Sequence, residues 1–204
     1  MIAIIDYGLG NLKAFSNVYK RHNVVAELVT TKEQLSKADK IILPGVGAFD
    51  HAMEKLDKSG LSALLNEMVL EKKVPVLGIC VGMQMLAKSS DEGVKNGLGW
   101  IDGEVKLFDT GKIQDITRLP HMGWNDVRVK KDNPLFTGLD EAPLFYFLHS
   151  YYFSCHNKSD IIAESDYGDF FACAVNHENI YGVQFHPEKS HNNGIQLLKN
   201  FADL

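Results

Sequence analysis

Val74-Pro-Val-Leu-Gly-Ile-Cys-Val-Gly-Met-Gln84 is the stretch on which the reading of this chain turns. An apolar run stops at Cys80, with one glycine two residues before it and another two after it. A cysteine that merely ends a core strand is a small, often fully buried hydrophobe and needs neither glycine. A nucleophile on a sharp strand-to-helix turn needs both, because such a turn leaves no room for side chains beside it. The turn would lift the sulfur into a cleft and set it near the positive end of a helix, which favours the thiolate. It would also aim the N–H of Val81 at whatever the sulfur attacks. The pattern predicts a strand over Val76–Ile79, a nucleophile at Cys80 and a helix after it.

Working outward, the first ninety residues alternate short apolar runs with helical spacing. Strands are expected at Ile2–Asp6, Val24–Thr30 and Lys40–Leu43, and a helix from Asn11 to Arg21. Between Ala48 and Asn66, Phe49, Met53, Leu56, Leu61, Leu64 and Leu65 recur at mostly three- and four-residue intervals, giving two amphipathic helices broken at Ser59-Gly60. Strands of nearly unbroken Ile, Leu and Val suit a parallel sheet covered on both faces, the doubly wound α/β arrangement whose sites lie beyond the carboxyl ends of the strands. From Trp100 to Asn176 the pieces shorten to Val127–Val129, Leu144–Phe147, Ile161–Ala163 and Ala172–Val175, separated by turn signals such as Asn133-Pro134. They predict an antiparallel addition to the sheet. Asn179–Phe185 returns to a buried strand, and Gly194–Phe201 closes with a helix. The whole of 1–204 is expected to be one domain.

Bulk properties narrow the classes. A net charge of −5 gives no basic footprint for nucleic acid or anionic lipid. No apolar run approaches the roughly 18 residues a membrane span needs. The start of the chain lacks the basic region and cleavage site of a secretory signal, so a cytoplasmic protein is expected. Its three cysteines, Cys80, Cys155 and Cys173, are then expected to be thiols. With no C-x-x-C pair, neither a disulfide framework nor a zinc ribbon is predicted, and no metal or cofactor is expected. Asp6-Tyr-Gly-Leu-Gly-Asn11 invites a dinucleotide reading, but the third glycine of that fingerprint would fall on Lys13. Gly111-Lys112 lacks the earlier glycine of a phosphate loop, that position being Lys106.

A thiol nucleophile needs a base, and the base needs an orienting group. His186 sits in Val183-Gln-Phe-His-Pro-Glu-Lys189. Pro187 biases it towards extended backbone, where residues two apart project to one side, so Glu188 can reach its ring. An oxyanion would need donors: the N–H of Val81, and a second from Leu43-Pro-Gly-Val-Gly47, where glycines on both sides of Val46 free its peptide to turn.

With these motifs the chain resembles the class I glutamine amidotransferases, end to end. Within that class, Asp6-Tyr-Gly-Leu-Gly-Asn11, Pro120-His-Met-Gly-Trp-Asn125, His149-Ser-Tyr151 and Gly182-Val-Gln-Phe-His-Pro-Glu-Lys-Ser190 look like the glutaminase subunits of imidazole glycerol phosphate synthases. The resemblance implies a flavodoxin-like fold and a triad of Cys80 as nucleophile, His186 as acid and base, and Glu188 as its orienter. It implies oxyanion donors at the backbone of Val46 and Val81, and glutamine held around Gly47, Gln84, Ser150 and Tyr151. Asn11, Trp124 and Asn125 match positions facing a partner, a cyclase subunit built as a (β/α)8 barrel, in a heterodimer. The family's usual leucine after the nucleophile is Val81 here, a change of little consequence for a residue acting through its N–H. Ser190-His-Asn-Asn-Gly194 also departs from the commoner pattern. Related glutaminases supply ammonia to sugar-modifying synthetases of surface-glycan pathways, and the triad alone leaves both acceptors open.

Overall fold

Every apolar run of the first half becomes a strand of one sheet in the computed structural model, which describes residues 1–113 and 119–204. The strands β1 (Ile2–Ile5), β2 (Ala26–Val29), β3 (Lys40–Gly45) and β4 (Val76–Cys80) alternate with α1 (Leu12–Arg21), α2 (Lys32–Leu35), α3 (Phe49–Ser59) and α4 (Ser62–Asn66). Gly60, at φ +72°, ends α3 in the left-handed conformation, which accounts for the break read at Ser59-Gly60. A single turn, α5 (Val81–Gln84), follows β4. The second half supplies β5 (Ser89–Ser90), β6 (Gly103–Leu107), β7 (His121–Asp126), β8 (Arg128–Val129), β9 (Leu144–His149), β10 (Tyr151–Cys155), β11 (Ile161–Asp166), β12 (Phe170–His177), β13 (Ile180–Val183) and the closing helix α6 (His191–Asp203).

The parallel part runs β2-β1-β3-β4-β13, and β12, β10 and β6 continue it antiparallel. Its order, with β1 between β2 and β3, is that of a flavodoxin-like sheet. The inner strands β1, β4 and β13 are buried along their whole length, which is why they lack polar alternation. Phe15 and Tyr19 of α1, Phe49 and Leu56 of α3, and Leu197, Leu198 and Phe201 of α6 cover the two faces. Burying a side chain of that size stabilises the fold by roughly 1.5–3 kcal/mol.

Two expectations change shape. Val127–Val129 shortens to β8, and Leu144–Phe147 lengthens into β9 but leaves the main sheet. It pairs instead with β7 in a separate two-stranded antiparallel ribbon, with His121 opposite His149 and Asp126 opposite Leu144.

Register sets what meets at the site. Gly45 pairs with Cys80, and Ile79 pairs with Val183. The carboxyl ends of β3, β4 and β13 therefore lie side by side, bringing together segments far apart in sequence.

Candidate active site

Cys80 ends β4 with φ +56° and ψ −114°, a left-handed conformation that L residues rarely adopt and that costs about 1–3 kcal/mol. The flanking glycines are demanded by contact. A Cβ on Gly82 would sit 1.9 Å from the carbonyl oxygen of Leu43, and one on Gly78 would sit 2.7 Å from that of Gly82. Gly45 meets the same turn, its Cβ position lying 2.4 Å from the backbone nitrogen of Gly82. The Pro-Gly-Val-Gly loop and the cysteine turn are thus packed backbone to backbone. The helix after Cys80 is one turn long, shorter than the sequence suggested, so a long helix dipole is not what acts on the sulfur. Val81 is its first residue, and its N–H has no partner inside it.

A cleft of about 310 Å³ opens here, at the small end of ligand-site volumes. Val46, Gly47, Cys80, Val81, Gln84, Ser150, Tyr151 and His186 all line it, as do Glu92, Leu148, His149 and Lys189. His186 has the extended backbone expected before Pro187, and its Nδ1 donates to Glu188 Oε1 at 2.9 Å. Both side chains are buried. The other ring nitrogen is left for the Cys80 sulfur, which lines the same cleft. Burial alone would press the imidazolium down; hydrogen bonds and charge from Cys80 and Glu188 outweigh it, and the His186 pKa is pushed up to about 10. The sulfur also lies 3.9 Å from the Leu148 carbonyl oxygen and 3.8 Å from Gln184 Nε2. The other two cysteines are buried thiols, Cys155 raised to about 12 and Cys173 raised well above the usual thiol range, both chiefly by burial.

Several contributors were invisible in the sequence. Ser190 Oγ accepts from the N–H of Tyr146 at 3.0 Å and donates to the His186 carbonyl at 2.6 Å, while His186 N–H donates to the Tyr146 carbonyl at 2.8 Å. The imidazole is thereby tied to the ribbon. Glu92 brings a carboxylate to the cleft, its Oε2 fixed by the N–H of Phe49 at 2.8 Å.

Asn11, Trp124 and Asn125 lie outside the cleft. Asn11 is exposed at the start of α1 and caps nothing through its side chain. Asn125 is turned inwards, its amide donating to the Asp166 carbonyl at 2.8 Å. Trp124 is 47% exposed and shares the outer face of the ribbon with Met122, Leu144 and Leu148, all exposed. His191, from the departing tail segment, packs its ring 5.0 Å from that of Trp124. Leu148 also lines the cleft, so this apolar face begins at the mouth of the site. Among the described residues no cluster of His, Cys, Asp or Glu could hold a metal ion, and no helix is long and apolar enough to cross a membrane.

The sequence pattern defining class I glutamine amidotransferases matches residues 3–204. The imidazole glycerol phosphate synthase subunits HisH of Leptospira interrogans and Bdellovibrio bacteriovorus are each 54% identical to this chain, over 100% of both chains. A solved glutamine amidotransferase aligns with a TM-score of 0.76 at 19% identity over 100% of both chains. Another, from Thermotoga maritima, aligns at 0.67 with 18% identity, over 99% of this chain and 82% of that one. At such identities the structures speak for the fold alone. The cysteine turn, its buried imidazole and carboxylate, and a family pattern spanning nearly every residue lead to one assignment: the chain belongs to the class I glutamine amidotransferase family.

Proposed function

We propose that this chain is the glutamine-hydrolysing subunit of an imidazole glycerol phosphate synthase, releasing ammonia for a cyclase partner in histidine biosynthesis. The observation that carries the reading is a thiol and an imidazole in one cleft, the imidazole bonded to a buried carboxylate behind it, in a chain 54% identical over its whole length to HisH subunits. The Cys80 thiolate attacks the side-chain amide carbon of glutamine. His186 passes its proton to the departing nitrogen, ammonia leaves, and a γ-glutamyl thioester remains on Cys80. His186 then takes a proton from water as the water attacks the thioester, and glutamate departs with the sulfur restored. Glu188 holds the ring and stabilises its imidazolium form. The N–H groups of Val46 and Val81 receive the oxyanion of each tetrahedral intermediate, and the backbone around Ser150 and Tyr151, with Gly47 and Gln84, holds the amino acid.

Glu92 is the carboxylate of the cleft and is assigned the substrate α-ammonium. A hydrogen bond to a charged group contributes about 1.5–3 kcal/mol. Glu92→Gln should therefore raise KM for glutamine roughly ten- to a hundredfold with a smaller change in kcat, read from steady-state glutamate release by the complex.

The partner is assigned to the apolar face of the ribbon, where Trp124 stands exposed beside the mouth of the cleft. Ammonia released into water at neutral pH is protonated and lost as a nucleophile, so the product has to leave directly into the barrel seated there. Val46 is 37% exposed, and nothing lies within 4 Å of a Cβ placed on Gly47, which has φ +85°. The loop thus has room on its Gly47 side, and loss of one oxyanion donor typically costs about 10²–10³ in rate. The test measures glutamate release by the chain alone and with its cyclase partner and the partner's ligand. A rise of about a hundredfold or more on assembly is expected. Equal rates in the two samples would defeat the reading.

A further inference from the structure

Two buried histidines outside the triad are bonded to each other: His121 Nδ1 lies 3.0 Å from His149 Nε2. Backbone groups decide which nitrogens carry protons. His149 Nδ1 lies 2.8 Å from the carbonyl oxygen of Tyr151, which can only accept, so Nδ1 holds the hydrogen. Burial presses both rings far below the usual imidazole range, His121 to about 4 and His149 to about 3, with the neighbouring charges of His121 and His186 adding to the effect on His149. Both are neutral at pH 7, and His149 Nε2 is therefore bare. His121 Nδ1 donates to it, which leaves His121 Nε2 to accept from Asn125 Nδ2 at 3.2 Å. The Asn125 amide is itself oriented by backbone, its Nδ2 donating to the Asp166 carbonyl and its Oδ1 accepting from the N–H of Asp126 at 2.9 Å.

The Tyr151 carbonyl takes a second donor, Gln84 Nε2, at 3.0 Å. The same Gln84 nitrogen donates to Gln184 Oε1 at 3.1 Å. With its oxygen engaged, the fully buried Gln184 presents Nε2 as a donor, and that atom lies 3.8 Å from the Cys80 sulfur. A donor aimed at sulfur favours the thiolate over the thiol. The bonds are continuous from the ribbon strand that carries Trp124 to the reacting atom.

We propose that His149, backed by His121, is a positioning residue: it fixes the Tyr151 carbonyl, which fixes Gln84 and Gln184 and so aims the Gln184 amide at the Cys80 sulfur. The proposal rests on Cys80 being the nucleophile of the glutaminase reading. Its tests use the intact chain without glutamine or partner, so a failure here is separate from a complex that forms no glutamate.

Nitrogen NMR of the wild-type imidazoles is expected to show both His121 and His149 neutral at pH 7 with the proton on Nδ1, the less common tautomer of free histidine. A proton on Nε2, or an imidazolium, at either position overturns the proposal without any variant having to fold. The second measurement is the rate of Cys80 alkylation by iodoacetamide against pH, with the Cys80→Ser chain as background. His149→Asn keeps a donor near the place of Nδ1, His149→Gln moves it towards the place of Nε2, and His149→Leu removes it. At pH 7 alkylation is expected to slow about tenfold in the Gln and Leu variants and less than about threefold in the Asn variant. Equal slowing in the Asn and Gln variants, or no slowing in any, would reduce the pair to core packing and sink the proposal.

Discussion

Cys80→Ser is expected to lower glutamine-dependent turnover of the complex by at least about 10⁴-fold while ammonia-dependent synthesis continues. In hydrolases of this triad logic, removing the nucleophile costs on the order of 10⁶ in kcat, and what survives comes from the oxyanion donors and binding. Serine substitutes an oxygen for the sulfur and leaves the backbone its left-handed turn at φ +56°, which the glycine contacts around Gly78 and Gly82 impose on whatever residue stands there. The fold is thus retained and the chemistry removed, because a hydroxyl in place of a thiol has almost no anionic form near neutral pH. Both activities are read from one preparation, with glutamine or ammonium salt as nitrogen source. Loss of both would make Cys80 a residue of the partner-competent fold. Retained glutamine turnover would remove it from the chemistry altogether.

The grouping of Cys80, His186 and Glu188 was legible in the sequence because each of the three carries a backbone signature. Gly78 and Gly82 flank Cys80 because a Cβ on either would enter a neighbouring backbone atom. His186 is extended before Pro187 as expected, but Glu188 reaches its ring from the 3-10 turn Pro187–Lys189 and not along extended backbone. The central strands were legible for a simpler reason, being unbroken apolar runs buried on both faces. What could not be read follows from the ribbon. The inward residues of β7 are His121, Gly123 and Asn125, while its apolar Met122 and Trp124 face out, so its alternation is inverted. The inward polar groups are satisfied by one another and by His149, across a register that no local pattern reveals. In β9, Phe145 and Phe147 lie inside while Leu144 and Leu148 lie outside, which erases alternation altogether. The helix after Cys80 stops after one turn because the carbonyls of Met85 and Ala87 accept from the N–H groups of Leu98 and Gly99. That loop lies more than ten residues on, beyond the reach of helical periodicity.

Glu188→Gln is the second change with a large expected effect, a fall of about 10³–10⁴ in glutamine-dependent kcat with the folded state preserved. The side chain is buried, one oxygen is on His186 Nδ1 at 2.9 Å, and Oε2 has no partner among the described residues. Glutamine fills the same volume and removes the charge. If its amide oxygen takes the place of Oε1, the ring keeps its tautomer but loses the carboxylate that stabilises its protonated form. If its NH₂ takes that place, the ring must turn its own N–H towards the sulfur, the wrong tautomer for a base, and an amide in place of the triad carboxylate costs about 10⁴ on that account. In both cases the His186 pKa falls from about 10, because the Glu188 charge that helps to raise it is gone. The ring then gives up its proton at a lower pH than in the wild type. The signature is joint: kcat drops, and iodoacetamide alkylation of Cys80 at pH 7 slows, while the circular-dichroism melt stays cooperative. A variant with normal turnover would leave Glu188 a buried carboxylate of the fold and would return the orientation of His186 to Tyr146 and Ser190 alone.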